Sequence, residues 1–334
     1  TCVRPSSGRS RQLGGGLLNS KKTHPLRDDT MWPDKRLCDL LEIEHPIIQA
    51  PMLGTCTPSL ASAVSNAGGM GSLACGWKAA QVVRQETEAI RERSNRSFCL
   101  NFFVVRPTKT DDSVPAQLRE RLRPWYDEFG LGDPPTELPP PASDFGDEQL
   151  EFLLALRPKA VSFHFGVPEY RYLDSIRNAG IAVISSATNV AEAQALEAAG
   201  VDAIIAQGWE AGGHRGSHGP SESFDGVGSM ALVPQVVDAV SVPVIAAGGI
   251  GGGRGVAAAF CLGASGVEMG TAFLRCPEAA TDPMWRQRLR NATDRDTIVT
   301  DAFSGAPARI MKSRFAEEME RDHLPFPEFP RMFA

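Results

Sequence analysis

Short apolar runs recur along most of the chain, and each is typical of a buried parallel strand. In chain order, the eight runs are 46–52, 70–75, 97–104, 161–166, 181–186, 202–207, 242–247 and 267–273. Most intervals between them predict helices, notably over 60–67, 78–93, 190–199, 230–239 and 256–262. This alternation predicts an α/β protein with a parallel sheet. Eight units predict closure into a (β/α)8 TIM barrel rather than a doubly wound open sheet.

Three segments fall outside this repeat. Residues 106–146 are rich in proline and charge, which predicts a helical excursion inserted after the third strand. Residues 276–334 carry amphipathic patches, which predict a small C-terminal helical lid or arm. Residues 1–30 are basic and lack hydrophobic periodicity. They predict a disordered tail or a non-native extension, with an organelle transit peptide as the alternative. The barrel domain is therefore expected over residues 31–275.

Charge and cysteine content restrict the partners and the compartment. The net charge of −6 gives no reason to expect a nucleic-acid partner. The seven cysteines are scattered without a CxxC pair, which indicates reduced thiols and predicts a cytoplasmic protein. No cluster has metal-site spacing, and no apolar run reaches the ~18 residues of a membrane span. We therefore expect neither a metal nor a membrane partner. Composition leaves a monomer and a homodimer equally open.

Two glycine-rich strand ends predict a site for a phosphate group. The seventh run ends at Gly248 and Gly249 and continues through further glycines into a helix, and the eighth contains Gly270 and Thr271. Glycines let bare N–H groups approach an anion, and a helix start adds its positive dipole. Barrels commonly bind phosphate after strands seven and eight. The alternative is that these glycines only permit close helix–strand packing.

Ligand-contacting residues of a barrel lie at the C-terminal ends of its strands and in the loops that follow. This rule selects Met52, Asn101, His164, Gln207, Gly248, Gly249, Gly270 and Thr271, together with Gly212, Gly213 and His214 in the loop after the sixth strand. At its strand end, Gln207 can donate to and accept from the edge of a heterocycle.

Two histidines are the candidate catalytic residues. His164 lies on a strand face that we expect to point into the barrel mouth, while Phe163 and Phe165 pack outward. An imidazole in that position can act as a base or a cation, and a satisfied core histidine is the alternative. His214 lies among glycines and either faces the ligand or caps a loop carbonyl. Its neighbour Arg215 is expected to be a surface charge or a phosphate-binding charge.

Several segments together resemble the nitronate monooxygenase family, formerly called 2-nitropropane dioxygenases, and its bacterial class I in particular. They are PIIQAPM at 46–52, NAGGMGS at 66–72, SFHFG at 162–166, AQGWEAGGHRG at 206–216, AGGI at 247–250 and MGTAF at 269–273. The segments occur in the family's order over about residues 37–275, and the loop at 206–216 together with SFHFG is the most specific part. The match is loose in the last fifty residues, where only SGAPAR at 304–309 is similar.

The resemblance implies an oxidoreductase that binds FMN without covalent attachment. FMN would contact Met52, Asn101, Gln207, Gly212, Gly213, Gly248, Gly249, Gly270 and Thr271. The family oxidises alkyl nitronates, such as propionate 3-nitronate, with O2 to a carbonyl compound and nitrite through a flavin semiquinone, which detoxifies nitroalkanes. His164 and His214 would face the substrate, and an imidazolium would hold the nitronate anion against the flavin. For a neutral nitroalkane, His164 would also remove the α-proton.

Two other functions are compatible with the same residues. One is an NAD(P)H-dependent FMN reductase of the same barrel family, such as an enoyl-thioester or quinone reductase. The other is a flavin-binding module without turnover. An IMP-dehydrogenase-like barrel is disfavoured, because the loop at 208–229 contains no cysteine nucleophile.

Overall fold

The computed structural model describes residues 32–105, 113–139, 144–218, 226–321, 326–327 and 329–333. The predicted tail at 1–30 lies outside the described residues, and so do parts of the predicted insert and of the C-terminal segment.

Eleven strands occur in the described part of the chain. They are β1 (Ile47–Gln49), β2 (Gly71–Ala74), β3 (Phe98–Phe103), β4 (Ala160–His164), β5 (Ala182–Ala187), β6 (Ala203–Gln207), β7 (Gly213–His214), β8 (Val244–Ala247), β9 (Gly266–Met269), β10 (Thr297–Thr300) and β11 (Ala308–Met311). Eight of them form a parallel sheet in the order β1-β9-β8-β6-β5-β4-β3-β2. A parallel bridge between Ile48 and Met70 joins the two ends of this sheet. The predicted eight-stranded barrel is therefore confirmed.

Eleven α-helices accompany these strands in the same described ranges. They are α1 (Arg36–Leu41), α2 (Pro58–Asn66), α3 (Ala80–Arg91), α4 (Ala116–Phe129), α5 (Asp147–Leu156), α6 (Tyr170–Asn178), α7 (Val190–Ala199), α8 (Ser229–Ala239), α9 (Gly253–Cys261), α10 (Pro283–Asn291) and α11 (Arg314–Glu320). Local signals set their ends. The Thr57 side chain caps α2 by accepting from the Leu60 N–H at 3.0 Å. Asn189 caps α7, and Gly200 ends that helix with a φ of 88°.

Alternation of side chains along each strand separates the core into two layers. Inside the barrel, Ile48, Ile184, Ile205 and Ile245 pack together, and α1 adds Leu37 and Leu41 to this inner cluster. The outer layer packs strands against helices and includes the aromatic cluster of Phe102, Phe145 and Phe163. Phe163 therefore points outward, as the sequence predicted.

The last barrel strand is shorter than predicted. The eighth apolar run predicted a strand to residue 273, but β9 ends at Met269 and a 3-10 turn occupies Phe273–Arg275. Gly270 and Thr271 therefore leave the sheet immediately after β9. This position is the one that a phosphate site at the strand end requires.

The C-terminal segment contains more than the predicted helices. Besides α10 and α11, it forms an antiparallel hairpin of β10 and β11. The hairpin continues onto β7, so the loop after β6 and the C-terminal segment share a three-stranded sheet. Helix α4 confirms the predicted helix in the insert.

The described residues also bear on the expectations for disulfides, metal sites and membrane-spanning helices. The six described cysteines form no disulfide. Across the described ranges, no group of three or more His, Cys, Asp or Glu side chains is placed to hold a metal ion. Every helix in those ranges is too short or too polar to cross a membrane.

Candidate active site

The predicted site residues converge on one end of the barrel. Asn101 lies in β3, His164 ends β4 and Gln207 ends β6, and all three side chains are buried or half-buried. Met52 follows β1, Gly248 follows β8 and Gly270 follows β9, while the glycines at 212 and 213 lie in the loop after β6. Since the carboxyl ends of parallel strands meet at one edge, the structure brings the whole predicted set together.

Three glycines at the start of α9 leave an open cradle. A Cβ added at Gly251, Gly252 or Gly253 would meet no heavy atom within 4 Å. All three glycines are exposed, and α9 begins at Gly253, so this helix start is accessible to a ligand. Gly248 serves a different purpose. Its φ is 101°, and an added Cβ would lie 2.8 Å from the backbone N of Ala211, so this turn requires glycine.

The opposite wall of this cradle is formed by the turn after β9. A Cβ at Gly270 would lie 3.9 Å from the Met52 Sδ. A Cβ at Gly212 would lie 3.0 Å from the Thr271 Oγ1, so the loop after β6 closes tightly onto this turn. The two predicted phosphate-binding strand ends are neighbours, because β8 pairs directly with β9.

Gln207 and Asn101 are held by neighbouring polar groups. The buried Gln207 amide donates to the carbonyl oxygen of His214 at 2.9 Å and accepts from the Gly216 N–H at 2.8 Å. It thus fixes the path of its own loop, and its contact with a heterocycle stays a prediction. The Asn101 amide donates to the Ser162 hydroxyl at 3.0 Å, across the β3–β4 pair.

His164 makes a hydrogen bond at each ring nitrogen. Its Nε2 lies 3.3 Å from the carbonyl oxygen of His214, and its Nδ1 lies 2.9 Å from the Ser186 Oγ. Because a carbonyl only accepts, Nε2 carries the hydrogen and Nδ1 accepts from the serine hydroxyl. Burial and the neighbouring His214 lower the pKa of His164 to about 3. This shift favours the neutral imidazole at pH 7 in the ligand-free protein.

The C-terminal segment positions His214. Its strand β7 pairs with β11 through Ala308, and its Nε2 lies 2.9 Å from the Ser304 Oγ. Ser304 is buried and directs its own hydrogen to the carbonyl of Ala306 at 3.1 Å, so it accepts from His214. Burial lowers the pKa of His214 to about 4, so this imidazole is also neutral at pH 7.

Arg215 is not a surface charge, which was one of the two alternatives that the sequence left open. Its side chain is buried, donates to the carbonyl oxygen of Gly208 at 2.8 Å and lies 5.1 Å from the Trp209 ring centroid. Arg309 approaches the same ring at 5.7 Å and donates to the Trp209 carbonyl at 3.0 Å. The Arg215 guanidinium thus holds the loop after β6 against the end of its own strand, whereas the Arg309 guanidinium ties this loop to the hairpin by hydrogen bonds and a cation–π contact.

Sequence reasoning missed the aromatic surroundings of the histidines. Phe165 was expected to pack outward, but its φ of 71° turns the chain, and its ring centroid lies 4.6 Å from that of His164 and 6.0 Å from that of His214. Phe329, from the far end of the chain, lies 4.9 Å from the His214 ring. The proximity of Phe329 had no local signal, because it depends on where the C-terminal segment folds back.

Glu268 is a second residue that the pattern did not reveal. It lies in β9 opposite Ile48 and Ala247, two members of the inner cluster, and so faces the barrel interior. Burial raises the pKa of its carboxyl to about 7. A signal was present in the sequence, because an acidic residue interrupts an otherwise apolar strand two positions before Gly270.

Comparisons with known proteins identify the family of this chain. The model of the nitronate monooxygenase family matches residues 34–332. A protein of Staphylococcus aureus (strain JH9) described as a probable nitronate monooxygenase is 40% identical over 305 residues, which cover 90% of this chain and 84% of that relative.

Two solved structures extend the likeness to three dimensions. Nitroalkane oxidase from Streptomyces ansochromogenes has a TM-score of 0.80 and 38% identity, covering 89% of this chain and 84% of its own. FabK from Thermotoga maritima has a TM-score of 0.67 and 34% identity, and the match covers 86% of this chain and 78% of the FabK chain. The family match spans the barrel, the loop after β6 and the C-terminal hairpin alike. This chain therefore belongs to the nitronate monooxygenase family and is an oxidoreductase.

Proposed function

We propose that this protein binds FMN at the barrel mouth and oxidises alkyl nitronates with O2 to a carbonyl compound and nitrite. The observation that carries the choice of nitronate is the state of His164. Both of its ring nitrogens are engaged and its pKa is about 3. A nitronate is already an anion and has no α-proton left to remove. Its binding therefore requires hydrogen-bond donors and not a strong base.

The residues at the mouth fit FMN. Its phosphate would bind at the exposed glycines of the α9 start, Gly251, Gly252 and Gly253, together with the turn at Gly270 and Thr271. The remaining proposed contacts are Met52, Asn101, Gln207, Gly212, Gly213, Gly248 and Gly249. When bound, FMN would supply the redox chemistry that these side chains lack.

The two neutral imidazoles would bind and orient the substrate. The 3.3 Å bond from His164 Nε2 to the His214 carbonyl is at the long end of the usual range, so an anionic oxygen can replace that acceptor. His214 is held by Ser304, which fixes the ring relative to the loop. The aromatic side chains around both rings would exclude water from the anion and strengthen its hydrogen bonds.

A neutral nitroalkane is the less favourable substrate. Its α-proton would have to be removed, and His164 Nδ1 is already occupied by the Ser186 hydroxyl. A base with a pKa near 3 is also a weak acceptor at pH 7. We therefore expect turnover with a pre-formed nitronate to exceed turnover with the parent nitroalkane at the same concentration.

An aerobic assay with propionate 3-nitronate tests the proposal. We expect O2 uptake with matching nitrite release, from yellow protein that releases FMN on denaturation. Protein that binds no FMN, or binds it without oxidising any nitronate, would contradict the proposal. Anaerobic mixing with NADPH tests the reductase alternative, since rapid flavin bleaching would favour that function.

A further inference from the structure

Four aromatic side chains from separate parts of the chain surround the two histidines. This aromatic collar consists of Trp77, Phe103, Phe165 and Phe329. Trp77 follows β2, Phe103 ends β3 and Phe165 follows β4, so three members come from consecutive barrel units. The fourth comes from the C-terminal end of the chain.

The Phe329 ring contacts each of the other three members of the collar. Its ring centroid lies 4.9 Å from Phe165, 5.5 Å from Trp77 and 5.9 Å from Phe103. It also lies 4.9 Å from the His214 ring. Through these contacts one side chain bridges the barrel strands and the loop after β6.

The backbone around Phe329 is anchored. The Arg331 side chain is buried, and its Nε donates to the carbonyl oxygen of Pro139 at 3.0 Å. The chain end is thereby attached to the insert that follows β3. Phe329 is thus held beside His214 by a defined hydrogen bond two residues along the chain as well as by its own ring contacts.

The collar differs from an ordinary aromatic core. Trp77 remains 38% exposed and Phe329 is half-buried, whereas Phe102, Phe145 and Phe163 in the outer layer are almost fully buried. Trp77 also has a φ of 60°, which bulky residues rarely adopt. These rings therefore line an opening instead of filling a sealed interior.

We propose that Phe329 sets the upper size limit of the substrate, so that the site takes short-chain alkyl nitronates. This inference rests on the proposed function. The charged head group of a nitronate would meet the Nε2–H of His164, and its hydrocarbon tail would then run toward the collar. The Phe329 ring occupies the space in front of His214, and a longer tail would have to displace it.

Phe329 is the collar member best suited to test this limit. Phe103 and Phe165 are next to His164 in the sheet and in the chain, so changing them would also move a catalytic residue. Phe329→Ala removes the ring and leaves the barrel strands unchanged. Phe329→Leu removes less volume and provides a second variant if the alanine variant folds poorly. Phe129→Ala is the matched control, because Phe129 is 64% exposed and stacks on Trp125 in the insert.

The experiment compares kcat/KM for ethyl, butyl and hexyl nitronate in FMN-loaded protein. We expect wild type and Phe129→Ala to lose activity toward hexyl nitronate. In Phe329→Ala, the ratio of kcat/KM for hexyl to that for ethyl nitronate should rise at least about tenfold, since each methylene newly accommodated is worth about fourfold. Phe329→Leu should give an intermediate ratio. Equal ratios in wild type and both Phe329 variants, with unchanged FMN affinity, would overturn the proposal.

A second measurement separates this inference from the proposed function. Propionate, valerate and heptanoate resemble nitronates in shape and charge but do not react, and their binding is followed through the flavin absorbance. If no nitronate is oxidised, the proposed function fails. The size limit is then still decided by these dissociation constants. Tighter heptanoate binding in Phe329→Ala than in wild type would support it, and equal binding would refute it.

Discussion

Replacing Glu268 by glutamine isolates the energetic effect of an ionisable group inside the barrel. Among the described residues, no hydrogen bond or ion pair reaches its carboxyl group, and burial raises its pKa from 4.5 to about 7. Below pH 4.5 the carboxyl is neutral in both the folded and the unfolded chain. As pH rises from 4.5 through 7, the unfolded chain ionises first, so the folded state loses stability.

The size of this loss follows from the two pKa values. The difference between 4.5 and about 7 corresponds to about 3 kcal/mol of unfolding free energy, reached at about pH 8 and above. Glu268→Gln carries no charge at any pH and should lack this loss. Relative to wild type, the variant should therefore gain up to about 3 kcal/mol between about pH 4.5 and pH 8.

Urea unfolding of FMN-free protein at several pH values measures this gain, because bound ligand would add its own stabilisation. At each pH, the unfolding free energy of wild type is subtracted from that of the variant, and the change of this difference with pH is compared. A packing effect of the amide that does not depend on pH cancels in this comparison. Glu151→Gln on the exposed face of α5 serves as the control and should parallel wild type. Parallel pH profiles for Glu268→Gln and wild type would refute a raised pKa for this half-buried carboxyl.

Three further changes have defined outcomes. His164→Ala should keep FMN but lose at least about 100-fold in turnover of nitronates, which steady-state kinetics would show; unchanged kinetics would remove it from the site. Ser304→Ala should cost about 1–2 kcal/mol in urea unfolding, because it deprives the buried His214 of an acceptor, and an unaltered midpoint would contradict that bond. Gly248→Ala should destabilise the fold, because residue 248 has a positive φ and its new Cβ would lie 2.8 Å from the Ala211 backbone N. Gly251→Ala should fold normally and weaken FMN binding, because its Cβ would occupy open space. Equal unfolding midpoints for the two glycine variants would contradict this assignment.

The barrel, and the end of it at which the candidate site residues meet, were predictable because their signals are local. Each buried strand is a short apolar run, and each strand end that approaches a ligand is marked by glycine or by a polar residue such as Asn101 or Gln207. The parallel topology then brings these strand ends together, because all eight carboxyl ends lie at the same end of the barrel. The same rule located His164 and His214 together.

The errors concern properties that depend on distant contacts. The hairpin of β10 and β11 was not predicted from the sequence. It completes a sheet with β7, which is only two residues long and lies about ninety residues earlier in the chain. A surface position was one expectation for Arg215, but the carbonyl of Gly208 and the Trp209 ring that hold its buried side chain are visible only in three dimensions. The lowered pKa values of the two imidazoles likewise depend on burial, which the sequence does not show.

The shared sheet of β7 and β11 has a consequence for the order in which the site is completed. During synthesis the glycine cradle is finished once residues through 271 have emerged. His214 acquires its neighbours only later, when Ala308 pairs with it and Ser304, ninety residues along the chain, reaches its ring. The half of the proposed site that would hold the FMN phosphate is therefore complete along the chain before the half that would contact the substrate.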